Sequence, residues 1–290
     1  MAILPIDHHV RKFPLTAISK LSPYTGLIIS VFLLVLFLIR FYILELFLLK
    51  KMYGSRYTDL ADANRRSFVN HHIAGFTKIG ILIIAAYPFG SVTFGTAGFH
   101  TPYMSGSRIS MGDVLVISAQ MLIGMFIFEL IYRTKISPIS MVHHMASVLI
   151  GQAAITISID MEKDSSTEFL LCTVWGAFDI IAEFLPHLTL ILYRIYPNSP
   201  GFLLAIFRVA CLTTFLGTIS ETMVAMYLFG QLWSRWTLSF KIATPVLHVA
   251  FSAAQFHGTH IFYRMWQKQK RIIRDRRDEE RQVAKEQLAP

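Results

Sequence analysis

The stretch Tyr132–Ile157, YRTKISPISMVHHMASVLIGQAAITI, reads as a capped helix that enters a membrane and carries two adjacent histidines near its start. Ser137 can cap this helix and Pro138 fits its first turn, and an apolar run follows at once. His143 and His144 therefore lie inside an apolar helix. An ionisable side chain at the centre of such a helix costs about 2.5 to 3.5 kcal/mol on insertion scales, so its position points to function.

Hydrophobic residues make up 54% of the 290-residue chain, and apolar runs long enough to cross a bilayer recur along nearly all of it. We predict an all-α fold, a polytopic membrane helix bundle in which about seven transmembrane helices surround a polar cavity. The first apolar run lacks the pattern of a cleaved signal peptide, so we expect it to be retained. The predicted helices cover residues 24–49, 68–93, 112–133, 139–159, 168–195, 202–229 and 237–265.

The formal charge of +9 collects at the ends of the apolar runs, where it sets topology and meets anionic headgroups, so we expect no nucleic-acid partner. Basic residues in 50–66 and in the loop after the third helix predict that these segments are cytosolic, as is the C-terminus. We divide the chain into an N-terminal segment with the first helix (1–63), a six-helix membrane domain (64–266) and a charged cytosolic tail (267–290).

Ionisable residues from several helices should converge on one half of the membrane, because their depths follow from the alternating topology. Asp179, Glu183 and His187 are spaced i, i+4, i+8 and form one stripe that cannot face lipid. Lys78 needs an acidic partner or water at its depth, and Glu129, Asp179 or Glu183 could supply it. The seventh predicted helix adds His257 and His260 to this half.

Neighbouring residues on a helix point about 100° apart, so His143 and His144 can face one cavity only obliquely. Ser147 and Gly151 keep the adjoining surface small enough for another helix to approach closely. Cys172 and Cys211 both lie inside predicted helices, which argues against a disulfide.

The pattern YRTKISPISMVHHMASVLIG, followed by FDIIAEF and FHGTHIFYRMWQK, resembles the TLC domain of translocation-associated membrane proteins, ceramide synthases and the neuronal ceroid lipofuscinosis protein. The segment NRRSFVNHH resembles the usual start of that domain, and the likeness runs from about Asn64 to Trp266. It implies an endoplasmic reticulum or related endomembrane setting and a role in lipid metabolism or homeostasis.

By similarity to ceramide synthases, the His143 and His144 pair matches the family's histidine pair, and Asp179 with Glu183 matches its Asp and Glu. The His-Asp of those enzymes is absent, because Gly176 stands three residues before Asp179, and an acidic loop lengthens the intervening stretch. The chain thus resembles the broader TLC group more than a clear ceramide synthase.

Several functions stay open at this point. The main expectation is a protein that binds a long-chain lipid or acyl group in an intramembrane cavity, and the alternative is an acyl-CoA-dependent N-acyltransferase. The partner is then a membrane lipid, either a sphingolipid or acyl-CoA, and a homodimer is left open.

We expect no cofactor and no metal, although a histidine-ligated metal site and a purely structural role for the polar groups are both alternatives. The residues assigned to catalysis are His143, His144 and Asp179, and those assigned to substrate binding are Glu183, His187, Lys78, Glu129, His257 and His260.

Overall fold

A computed structural model describes residues 18–159 and 165–287 of the chain. Within these ranges the regular structure is helical, with no strand beyond one isolated bridge, which confirms the all-α prediction. The long helices are α1 (Ser22–Tyr53), α2 (Asp62–Thr93), α3 (Met111–Tyr132), α4 (Pro138–Ile157), α5 (Ser165–Ile195), α6 (Pro200–Gln231) and α7 (Leu238–Gln287). A π-helical stretch, Ile39–Leu48, lies within α1, and one-turn helices cover Ser55–Thr58 and Trp233–Arg235.

In the described part of the chain, helices α1 to α6 are long and apolar enough to cross a membrane, so the protein is a multi-pass membrane protein. Large apolar side chains on the outer faces fit this assignment; Ile83 is 76% exposed and Leu149 is 67% exposed. The seventh predicted helix is present as α7, but it is not among the six helices that are long and apolar enough to cross a membrane. Polar residues such as His248, Gln255 and His257 lower the hydropathy of α7, which continues unbroken into the charged tail.

The helices pack as a ring. Contacts connect α2 to α3, α3 to α4, α4 to α7, α7 to α6, α6 to α5 and α5 back to α2. Helix α5 also touches α3 and α4 across the ring, and α1 packs on the outside against α3. Any cavity inside the ring is therefore walled by helices α2 to α7.

Side-chain caps fix the starts of two of the helices that enclose this interior, α3 and α4. Ser137 Oγ accepts a hydrogen bond from the Ser140 backbone N–H at 3.1 Å, and Pro138 opens α4, as the sequence predicts. Helix α3 starts with a capping box between Ser110 and Asp113. Ser19 also donates to Asp113 at 2.6 Å, which ties the segment before α1 to the start of α3.

Small residues allow three close contacts between helices. A Cβ atom on Gly151 would lie 2.8 Å from Cδ1 of Ile123, so the predicted close approach beside Gly151 is present. A Cβ on Gly124 would lie 2.6 Å from the ring of Phe32 on α1. A Cβ on Gly217 of α6 would lie only 2.7 Å from the Cβ of Ala182 on α5.

The Gly217 contact generates a stability prediction. Gly217→Ala should lower the free energy of unfolding by about 1 to 3 kcal/mol, because a methyl group on Ala182 cannot rotate away as a long side chain could. Gly230→Ala on the same helix is the matched control, since its new Cβ would have no heavy atom within 4 Å. Thermal unfolding in detergent measures both variants. Equal melting temperatures for the two variants would contradict the close contact.

Candidate functional site

Lys78 is the fully buried centre of a polar cluster between α2 and α5. Its Nζ donates to Glu183 Oε2 at 2.8 Å, to Asp179 Oδ2 at 3.0 Å and to the Asp179 backbone carbonyl at 3.1 Å. The expected acidic partner of Lys78 is thus a pair of carboxylates one helical turn apart, and Glu129 makes no ion pair with it in the described ranges. The Asp179 and Glu183 stripe faces the interior, as its spacing predicts.

His143 stands beside Asp179 without a hydrogen bond to it. Its Nε2 lies 3.7 Å from Asp179 Oδ1, which is too long for a hydrogen bond. Both ring nitrogens of His143 and this Asp179 oxygen are buried and have no hydrogen-bond partner among the residues described. The ring of Phe251 stands edge-on to His143, with centroids 5.1 Å apart. Three polar atoms at one place therefore lack partners and could bind a polar group.

His144 points to a different place. Its ring stacks on Phe126 with centroids 4.6 Å apart, and its Nε2 lies 3.7 Å from Glu129 Oε2. Glu129 also forms an ion pair with Arg133 one turn later. The pair of adjacent histidines is thus divided, with His143 toward Asp179 and His144 toward Glu129, as the angle between neighbours on a helix requires.

His187, the third member of the stripe, pairs with another histidine. Its Nδ1 lies 3.0 Å from Nδ1 of His71 on α2, at hydrogen-bond distance. Ser67 Oγ lies 3.3 Å from the other ring nitrogen of His71. This second α2–α5 contact bonds helices together, and His187 does not line the cavity described below.

His257 and His260 lie away from this cluster. His257 is half-buried and His260 is exposed, with its ring stacked near Tyr263. Neither forms a hydrogen bond or ion pair with any described residue, and neither lines the cavity. Helix α7 presents His248 and Gln255 to the interior instead, so the substrate-binding role predicted for His257 and His260 has no contact to support it.

A cavity of about 320 Å³ lies inside the ring and is lined by residues of all six helices α2 to α7. Apolar side chains make up most of its wall, so the predicted polar cavity is in fact amphipathic. Its volume lies at the lower end of the range that holds small-molecule ligands, about 300 to 1,000 Å³. Its polar lining residues are Ser118, His143, Ser147, Thr173, Asp179, Glu221 and Gln255.

Two residues of the cavity wall were not selected from the sequence as site residues. Glu221 on α6 is only 3% exposed, and one of its oxygens accepts a hydrogen bond from Gln255 Nε2 at 2.7 Å. Trp175 lines the cavity with its buried Nε1 lacking a partner in the described structure. The sequence could have indicated Glu221, because it is the one acidic residue of the long apolar helix α6.

One metal arrangement is geometrically conceivable. His143, Asp179 and Glu183 each offer a ligand atom within 4.8 Å of the others. However, the ammonium of Lys78 lies between the two carboxylates and occupies one oxygen of each. A protonated lysine at this place repels a divalent cation, so the cluster is better suited to an internal ion pair.

Comparisons of the chain with protein-family models, with curated proteins and with solved structures found no match. The family resemblance of the sequence therefore stays a prediction. The geometry of the cavity and of its polar residues supports the function proposed below.

Removing Lys78 should be costly because it leaves the buried Asp179 and the half-buried Glu183 without a cation. Lys78→Met is expected to lower the free energy of unfolding by about 3 to 5 kcal/mol, whereas Lys50→Met, at an exposed lysine, should change little. The triple variant Lys78→Met, Asp179→Asn, Glu183→Gln should recover most of the loss. The melting temperatures in detergent check both expectations, and a Lys78→Met protein as stable as Lys50→Met would contradict the ion pair.

Proposed function

We propose that this chain is an integral endomembrane protein of the TLC group that binds a long-chain lipid or acyl group inside its helix ring. The observation that carries the proposal is the amphipathic cavity, whose apolar walls lead to unpaired polar atoms on His143 and Asp179. An apolar wall suits a hydrocarbon chain, and the unpaired atoms suit the polar group at its end.

The unpaired atoms argue for a ligand on energetic grounds. A buried donor or acceptor without a partner costs about 1 to 3 kcal/mol. Several such atoms belong to residues that line one cavity, namely the His143 nitrogens, Asp179 Oδ1 and Trp175 Nε1. Buried polar atoms in native proteins are mostly paired, and a polar headgroup in the cavity would supply partners for these.

The setting in an endomembrane and the cytosolic C-terminus belong to the same proposal. The charged tail of α7 contains Lys268, Lys270 and Arg271, and basic residues also flank the end of α1 and the start of α2. Basic residues near the ends of apolar helices favour the cytosolic side. This distribution supports the orientation.

Lipid binding can be tested with a variant in which a larger side chain fills the cavity. Ala119 lines the cavity, so Ala119→Phe should displace the lipid that co-purifies with the wild-type protein. Ala253→Phe, at an exposed alanine of α7, is the matched control and should keep it. Native mass spectrometry of the purified proteins measures lipid per chain. Equal lipid content in Ala119→Phe and wild type would refute binding in this cavity, as would a wild type with no lipid.

Acyl transfer from acyl-CoA is a second candidate, favoured by the position of His143 between the cavity and a carboxylate. A histidine can accept a proton from the acceptor amine while the nitrogen of that amine attacks the acyl carbon. An adjacent carboxylate can orient the histidine ring. The carbon–sulfur bond then breaks, the amide forms, and the thiolate of CoA leaves and receives a proton from the histidine. The 3.7 Å between His143 Nε2 and Asp179 Oδ1, and the position of both residues in the cavity wall, support these two roles, whereas His144 does not line the cavity.

The division of the histidine pair gives this candidate a sharp test. His143→Ala should lower acyl-CoA consumption in the presence of a long-chain amine by about 10²- to 10⁴-fold, because it removes the base. His144→Ala should retain most of the turnover. Thiol release measures the rate, and the elution profile in size-exclusion chromatography checks folding. Wild-type protein that retains lipid but releases no thiol would leave binding as the function and exclude the transferase.

A further inference from the structure

Glu221 and Gln255 form a polar pair where α6 and α7 meet at the cavity wall. Gln255 Nε2 donates to Glu221 Oε2 at 2.7 Å. Gln255 Oε1 is buried and receives no hydrogen bond from the described residues. Both side chains line the same cavity as His143 and Asp179. This pair is separate from the Lys78 cluster and has no role in the mechanism discussed above.

The surroundings of Glu221 oppose a negative charge. Helix α5 presents two further carboxylates, Asp179 and Glu183, which share the single ammonium of Lys78. No lysine, arginine or histidine in the described ranges forms an ion pair with Glu221. His143 on α4 approaches Asp179 instead, and His248 on α7 is bonded to Thr222. An ionised Glu221 would therefore be a further carboxylate beside the buried Asp179 and the half-buried Glu183, with a hydrogen bond from one amide as its support.

The donors and acceptors of the two side chains also favour the protonated form of Glu221. A carboxylate can only accept hydrogen bonds, so it cannot satisfy Gln255 Oε1. A carboxylic acid has one donor and one acceptor, which match the acceptor and donor of an amide in a reciprocal pair. Protonation of Glu221 thus satisfies the amide oxygen and removes the unpaired buried charge in one step.

We infer that Glu221 is a neutral carboxylic acid in the cavity wall and that its hydroxyl binds the carbonyl oxygen of a lipid acyl group. This inference rests on the proposed lipid-binding function and names the chemistry that the site recognises. The acid exchanges its bond to Gln255 for one to an ester, thioester or amide carbonyl. A cationic amine headgroup would instead require the ionised form of Glu221.

A neutral acid beside a carbonyl also has a chemical consequence. A donor aimed at a carbonyl oxygen stabilises the negative charge that develops when a nucleophile attacks the acyl carbon. Carboxylic acids held neutral in apolar sites serve as such donors in other enzymes. With His143 in the same cavity, the ring would provide a base and Glu221 an acid for one acyl group.

Infrared spectroscopy tests the protonation state directly. Purified wild-type protein at neutral pH should show a carbonyl stretch of a protonated carboxyl group, shifted by deuterium oxide and by carboxyl-¹³C labelling of glutamate. Glu221→Gln should remove this band, and Glu279→Gln, at an exposed glutamate of the tail, should leave it. Absence of the band in labelled wild-type protein overturns the inference even if no variant folds.

Binding of two probes of equal chain length, a monoacylglycerol and a primary alkylamine, tests the recognition. Glu221→Leu should weaken monoacylglycerol binding about tenfold, the value of one hydrogen bond, and Glu221→Gln should restore most of it because an amide also donates. Neither variant should weaken binding of the amine. A loss of about tenfold or more in amine affinity for Glu221→Gln would show an ionised Glu221 and overturn the inference. Failure of both probes to bind wild-type protein refutes the proposed function instead, whatever the infrared spectrum shows.

Discussion

The buried ammonium of Lys78 is the interaction on which the rest of the arrangement depends. A lysine without solvent exposure must be paired, because the cost of an isolated charge in an apolar interior is several kcal/mol. Its partners Asp179 and Glu183 lie one turn apart on α5, so the ammonium can be satisfied only if α2 lies against that face of α5. This contact closes the ring of helices. A second contact between the same two helices joins His71 to His187. His71 lies seven residues before Lys78 on α2, and His187 lies four residues after Glu183 on α5.

The same ion pair determines what the site can offer to a ligand. Lys78 takes one oxygen of Asp179, and the other oxygen is then directed toward His143 at 3.7 Å. The distance leaves both atoms free of a mutual hydrogen bond. Helix α4 can present His143 there because Gly151, two turns later, lets α4 approach Ile123 of α3. A structural ion pair and a small residue thus position a histidine at the end of an apolar cavity.

The sequence predicted the helices well because their signals are local. The end of α2, the cap and first proline of α4, and the inward stripe of α5 each follow from spacing within one segment. The relative rotation of helices is not a local property. We grouped His257 and His260 with the other histidines because of their predicted depth in the membrane. The face of α7 that points to the interior instead contains His248 and Gln255. Likewise, only the rotation of α4 decides that His143 rather than His144 borders the cavity.

Charge balance connects these observations. Among the described residues three carboxylates lie near the cavity, on Asp179, Glu183 and Glu221, and Lys78 is the only permanent cation there that is paired with any of them. In an apolar interior an unbalanced charge is expensive, so a buried carboxylate without a cation favours its protonated form. A proton on Glu221 would neutralise the third carboxylate and leave the neutral ring of His143 able to accept a proton. The polar end of the cavity would then offer one acid and one base to a ligand whose hydrocarbon chain lies against the apolar wall. Such a site is suited to an uncharged polar group, because a charged group would bring an unbalanced charge into an apolar interior.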